Sequence, residues 1–480
     1  MAIPSDAPRA SARAVPAPDT VGAPADTLAA PDRLPRRLGL WSAIAVAIGS
    51  TIGSGIFGVP AGIAQHVGTL GAMVFAWTIG AVVALFGALT VAELSAMYPR
   101  SGGVYVYLRE AYGPVPAFLF GWTELLVIRP SALGGIAMIF AGYLGQFVPM
   151  SDGQVRLVAA GAIAILAAAN IRSVTWGAAV ENATTGAKVL ALGGLSLLVF
   201  AFAGPVRGAL VGPVSFTPTS WGGFGVALIA ILWAYDGWAD LTFMAGEVRD
   251  PGRTLPRALL GGTVVVMVVY LLANLAYVRV LPMGAIAQSK AVAADTASLI
   301  FGDAGRSVVA ALVMVSCFGT LNASTMTGPR ILFAMADDGL FFRPVAAVHP
   351  RWRTPWTAIA LAALLGIAYV SIQTFEQLAD AFILGIWPFY ALAVGAVFIL
   401  RRTRADALRP YRTWGYPLVP LVFLAASVAL LANALAAQPW SSLAAIFRPG
   451  TPMFGFAIIL VGIPVFYIWR ALGGGRLRTG

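Results

Sequence analysis

Gly49-Ser50-Thr51-Ile52-Gly53-Ser54-Gly55-Ile56-Phe57 lies inside an apolar stretch that runs from about residue 40 to residue 64. Three glycines in seven positions weaken a helix at a depth where lipid offers no water to bond the backbone. The stretch predicts a helix that enters a membrane and breaks near its middle. A second defect stands far downstream, where Trp233-Ala234-Tyr235-Asp236-Gly237-Trp238 puts a carboxylate and a glycine into another apolar stretch. The breaks fall in the first and the sixth of such stretches. Interrupted helices at matching positions of two five-helix halves point to a transporter built of inverted repeats, with its binding site at the bilayer midplane.

The composition agrees with a membrane setting. Of 480 residues, 59% are hydrophobic and only 11% charged, too little charge to solvate a water-soluble globule of this size. Hydropathy predicts twelve spans, at roughly 40–64, 70–97, 114–147, 155–172, 176–203, 222–247, 258–281, 306–335, 355–373, 377–400, 415–437 and 453–471. The fold class is therefore all-α integral membrane, with twelve transmembrane helices and discontinuous helices one and six. Residues 37–203 form the first five-helix repeat and 204–402 the second, inverted one. Residues 403–480 supply helices eleven and twelve and a short tail. Residues 1–36, rich in Ala, Pro, Asp and Arg without an apolar run, predict a disordered cytoplasmic tail and no cleavable signal.

The net charge of +11 does not point to nucleic acid, because the arginines fall in short clusters between spans and not on one face. Arg33, Arg36 and Arg37 precede span one, Arg249, Arg253 and Arg257 follow span six, and Arg401, Arg402, Arg404, Arg409 and Arg412 lie between spans ten and eleven. The positive-inside bias then places both termini in the cytoplasm. Cys317 is the only cysteine and sits in an apolar segment, so it predicts core packing, with no disulfide framework. His66 and His349 lie at segment edges, and no metal site, cofactor site or nucleophile–base pair is recognisable. Gly53 to Gly58 matches the dinucleotide fingerprint GxGxxG, but no strand precedes it and the match is spurious.

A broken helix exposes N–H groups on one fragment and C=O groups on the other, which a zwitterion can satisfy. The N–H groups after Gly53, with the Ser54 hydroxyl, suit a carboxylate. The carbonyls of Thr51, Ile52, Trp233 and Ala234 suit an ammonium. Such a pair of breaks reads the backbone common to all amino acids. The competing reading is close helix packing, since Gly49 and Gly53 also fit a small-xxx-small pattern.

Ionisable residues within the spans are functional candidates. Lys188 and Lys290 are the only lysines among 31 basic residues, and Lys188 lies in span five. It can stand in for a coupling cation, carry a proton, or snorkel to an interface. Asp236 can bind a cationic group, take a proton, or hold the unwound segment. Asp240 and Glu247 follow at helical spacing and are expected to pair with Arg249 or Arg253. Glu124 and Arg129 stand five residues apart, about 140° around an α-helix, which predicts different partners. Phe57, Trp233, Tyr235 and Trp238 are candidate gate aromatics.

GSGIF in span one, AYDGW followed by GEVRDPGRTLPRAL in span six, and FGTLNASTMTGPRILFAMADDG followed by HPRWRTPWTA around span eight resemble the amino acid–polyamine–organocation superfamily. Within it the chain is most similar to bacterial relatives of the L-type amino acid transporters, from about residue 36 onward. The resemblance implies the five-plus-five, LeuT-like fold, alternating access, and a bacterial inner-membrane location. By motif position it implies substrate contacts at Thr51, Ile52, Ser54, Gly55, Trp233, Ala234 and Asp236, with Trp233 or Tyr235 as gate. It also implies that the Lys188 ammonium takes the place of a sodium ion. Ala239 stands where the L-type pattern has Asn, and the loop Ser151 to Gln154 lacks the cysteine that links animal relatives to a glycoprotein subunit, so no disulfide-linked heavy subunit is expected.

Together these features predict a secondary active, sodium-independent amino-acid permease in the lipid bilayer, working by exchange or with protons. A polyamine or organic-cation transporter is the related alternative. An amino-acid receptor of transporter-like fold is the alternative from another class, and would call for a long soluble extension that neither terminus supplies.

Overall fold

The computed structural model describes residues 34–204, 215–289, 291–436 and 452–472. The predicted tail at 1–36 and the ends of the predicted repeats near 204 fall largely or partly outside them. Among the described residues the secondary structure is helical throughout, apart from a single bridge between Leu38 and Val248. The first predicted span is α1 (Leu40–Thr51), α2 (Gly55–Gly58) and α3 (Pro60–Val67). There follow α4 (Leu70–Met97), the short α5 (Val104–Tyr112), α6 (Pro114–Thr123), α7 (Arg129–Leu144), α8 (Asp152–Arg172) and α9 (Val174–Phe202). The sixth predicted span is α10 (Trp221–Tyr235) and α11 (Asp240–Phe243), after which come α12 (Pro251–Val280), α13 (Met283–Gln288), α14 (Val292–Thr327) and α15 (Pro329–Asp337). The chain ends with α16 (Trp356–Ile372), α17 (Phe375–Thr403), α18 (Leu418–Ala436) and α19 (Pro452–Ala471).

Ten helical stretches among the described residues are long and apolar enough to cross a membrane, and α10 and α16 are shorter apolar helices. All twelve predicted stretches coincide with helix. Polar residues mark the starts: Ser151 and Thr374 form capping boxes with Gln154 and Gln377, and Ser173 and Ser220 cap α9 and α10. Inside the α1–α2 stretch 78% of the residues are buried, against 17% in α19. The broken helix therefore runs through the middle of the bundle and α19 lies at its periphery. Around that centre α12 packs on α1 and α4, α14 on α7 and α9, and α16 on α7 and α8. The N-terminal end of α1 is strapped to the end of the sixth span: the N–H groups of Arg37 and Leu38 donate to the Glu247 carbonyl, and Arg249 N–H donates to that of Leu38.

Two expectations drawn from α-helical geometry are corrected. Glu124 and Arg129 pair with each other, Nη2 to Oε1 at 2.6 Å, with both side chains buried. Residues 124–128 form a π-turn, in which the Arg129 N–H reaches the Glu124 carbonyl, so residues five apart share a face. Pro130 has no N–H for the Leu126 carbonyl, which instead accepts from the Tyr369 hydroxyl. Glu247 does not pair with Arg249 or Arg253; it binds Arg330 of α15, Nε to Oε1 at 2.8 Å. Asp240 accepts from Thr327 Oγ1 at 3.0 Å. The helix stops at Phe243, and a 3₁₀ turn at Ala245–Glu247 aims Glu247 into the protein.

Candidate functional site

The two breaks meet. α1 stops at Thr51, Ile52 leaves helical geometry with ψ 89°, and α2 begins at Gly55. α10 stops at Tyr235, Asp236 is extended with ψ 153°, and Gly237 has φ 112°, a conformation that favours glycine. A Cβ on Gly55 would stand 2.5 Å from the Ala234 Cα, and one on Gly237 would stand 2.6 Å from the Ser50 carbonyl carbon. Each break thus rests on the backbone of the other, and glycine alone permits the approach.

Side chains from three further helices hold the carbonyls that the first break frees. Tyr270 of α12 donates its hydroxyl to the Thr51 carbonyl at 2.8 Å. Thr320 Oγ1 of α14 lies 2.9 Å from both the Gly49 and the Ile52 carbonyl oxygens, and Ser316 Oγ lies 3.3 Å from the latter. Lys188 of α9, fully buried, donates to the Gly49 carbonyl at 2.9 Å and to Thr320 Oγ1 at 3.0 Å. The N–H groups of Ser54, Gly55 and Ile56 have no backbone acceptor among the described residues.

Between the breaks lies a cavity of about 40 Å³, room for about three waters. Ser50, Thr51, Ser54, Gly55, Trp233 and Asp236 line it from the breaks; Arg129, Asp240 and Thr320 complete its polar wall, and Phe382 covers one side. Asp236 Oδ1 and Ser50 Oγ are buried there without a hydrogen-bond partner. Trp233 also lines a second, mostly apolar cavity of about 310 Å³, walled by Val59, Ile229, Phe375 and Ile383.

Residues 38–468 match the family model described as amino acid permease. The chain is 32% identical over 440 residues to the serine/threonine exchanger SteT of Bacillus subtilis, covering 90% of this chain and 97% of that one. The chain belongs to the amino acid permease family. The b(0,+)-type amino acid transporter 1 of Mus musculus is 33% identical over 415 residues, covering 85% of this permease and 84% of the relative. The human cystine/glutamate transporter is 29% identical over 445 residues, covering 91% of this permease and 86% of the relative. These relatives are transporters, not enzymes, and the permease is a multi-pass membrane protein.

Of the residues singled out in the sequence, the permease brings Thr51, Ser54, Gly55, Trp233 and Asp236 to one cavity. Ile52 and Ala234 lie behind its wall, the first with its carbonyl held by Thr320 and the second against Gly55. Tyr235 packs between Trp77 and Tyr270, 5.7 and 5.1 Å between ring centroids, and lines neither of the two cavities. Trp238 packs on Tyr390, and Phe57 is buried. Trp233 crosses Phe382 edge-to-face at 4.9 Å, between the cavities. Tyr270, Ser316 and Thr320 are not among the residues that the sequence singles out, whereas Arg129, singled out as an ionisable residue of span three, also lines the cavity. Ser316 and Thr320 carry a signal, one helical turn apart in an otherwise apolar part of α14; Tyr270 carries none.

Proposed function

We propose that this permease is a sodium-independent secondary transporter of amino acids that works by exchange. Its architecture is two inverted five-helix repeats, residues 37–203 and 204–402, moving by alternating access in a bacterial inner membrane with both termini cytoplasmic. The observation that carries the proposal is the contact of the two breaks around a polar cavity, with free N–H groups at Ser54, Gly55 and Ile56 on one side and the unpartnered Asp236 Oδ1 on another. The N–H groups and the Ser54 hydroxyl take the substrate carboxylate, and the second lone pair of the Thr51 carbonyl, with those of Trp233 and Ala234, takes its ammonium; the Ile52 carbonyl is already held by Thr320 and Ser316. Asp236 orients that ammonium, and Trp233 closes the cavity. An amino acid needs more than the present volume, so entry requires Trp233 and its neighbours to move.

The Lys188 ammonium holds the Gly49 carbonyl and Thr320 with a fixed positive charge in the place of a sodium ion. Exchange is the activity for which the relative SteT is named, and the name of the cystine/glutamate transporter pairs two amino acids in the same way. The single cysteine, Cys317, is buried in α14 and offers no disulfide to a partner subunit. Counterflow in proteoliposomes tests the proposal: labelled amino acid should enter vesicles preloaded with unlabelled amino acid, equally in sodium and choline. No counterflow with any common amino acid, or a steep rise with sodium, overturns it.

A further inference from the structure

We infer that Glu181 is a proton-binding site, linked through the Gly49 peptide to Lys188, and that its proton moves with the substrate. The inference rests on the transport function proposed above and names the ion that accompanies it. Glu181 and Lys188 stand seven residues apart on α9, two helical turns, and so present to the same face. Glu181 is fully buried, and among the described residues no cation lies within ion-pair distance of it. Its Oε1 accepts from Thr185 Oγ1 and its Oε2 from Asn322 Nδ2, both at 3.1 Å. A carboxylate with only two neutral donors in a sealed site is costly to keep ionised, and protonation removes that cost.

The seal is Gly49 itself. A Cβ on Gly49 would stand 1.6 Å from Glu181 Oε1, so the carboxylate fills the space that the missing side chain leaves. The carbonyl of the same residue accepts from Lys188. The last turn of α1 therefore touches the carboxyl group with one face of Gly49 and the ammonium with its oxygen. Any movement of α1 at its break uncovers Glu181 and strains the Lys188 bond together. Water reaches the carboxyl only in the states that also admit substrate.

With Glu181 ionised, its charge and that of Lys188 sum to zero; a proton taken from water on the open side forms the neutral acid and leaves a net charge of plus one. Release to water on the opposite side completes the transfer. Other elements do not supply this charge. Lys188 is the charged group that acts on Glu181; α14 adds only Cys317, which faces the ammonium, and α1, α8 and α12 add none. Glu181→Gln retains both hydrogen bonds if its amide nitrogen donates to Thr185, which passes its own proton to the Ala45 carbonyl at 3.1 Å.

The test compares uptake into amino-acid-loaded proteoliposomes with and without an inward proton gradient. In the parent the gradient should stimulate uptake by about fivefold or more, the low end of ordinary coupling. In Glu181→Gln the ratio should fall to about one, and Glu181→Asp, a fallback should the amide variant not fold, should keep the stimulation with a displaced pH midpoint. Infrared difference spectra of the purified protein should show a titrating carboxylic-acid band that is missing in Glu181→Gln. Counterflow in the parent that ignores the gradient overturns this inference and leaves amino-acid exchange standing. Stimulation that is equal in parent and Glu181→Gln also overturns it, as does an unmoved midpoint in Glu181→Asp. A parent without counterflow for any amino acid overturns both.

Discussion

Gly55 and Ala234 touch backbone to backbone: a Cβ on Gly55 would stand 2.5 Å from the Ala234 Cα. Residues from two helices that each lack continuous hydrogen bonding thus support each other. Gly55→Ala should cost about 1–3 kcal/mol by overpacking and reduce counterflow to background. Gly58, in the same four-residue helix, has open space around it, and Gly58→Ala should stay within about 0.5 kcal/mol of the parent. Melting curves and counterflow on both variants check the contrast; similar losses in the two would show that the contact is not what matters.

Lys188 supplies two charge-assisted hydrogen bonds to the first break, and losing them should remove about 3 kcal/mol from the state that binds substrate. Uptake by Lys188→Ala should drop by about a hundredfold. Sodium should not restore it, and Lys188→Arg should not either, because a guanidinium is too broad for the position of a compact ammonium. Initial rates in sodium and in choline decide the matter.

The buried Glu124–Arg129 pair calls for a double-mutant cycle. Glu124→Leu and Arg129→Leu should each cost about 3–5 kcal/mol, since each leaves the other's charge buried without its ion-pair partner. The double variant should melt above either single one. Melting temperatures in detergent test this; independent, additive losses would mean that the two groups do not interact in solution.

Trp233 separates the 40 Å³ polar cavity from the 310 Å³ apolar one. Trp233→Ala joins them, and half-saturating substrate concentration should rise about fivefold, as expected for an aromatic contact of about 1 kcal/mol. Trp233→Phe keeps an edge for Phe382 and should lose less. An unchanged value in Trp233→Ala would remove Trp233 from the gate.

The features legible in the sequence were those that local chemistry sets. Glycines at 53, 55 and 237 announce breaks because they weaken helix where lipid gives the backbone no other partner, and the two lysines make Lys188 conspicuous among arginines. What stayed hidden depends on orientation or on non-α geometry. Thr320 and Tyr270 reach the first break from helices more than two hundred residues away, and no spacing within α12 or α14 says which side faces α1. The α-helical turn angle puts Glu124 and Arg129 on different faces, and one π-turn brings them together. Pro130 is its sign in the sequence. Helical spacing likewise does not carry from Asp240 to Glu247, because the helix stops at Phe243 between them.

Leu38 and Arg249 tie the N-terminal end of α1 to the chain leaving the sixth span by main-chain bonds that any side chain but proline leaves in place. The two interrupted helices should then move as a single lever with two arms, contributing one degree of freedom where two separate helices would contribute two. A spectroscopic label near Leu38 should report the same motion, with the same rate, as a label near Arg249.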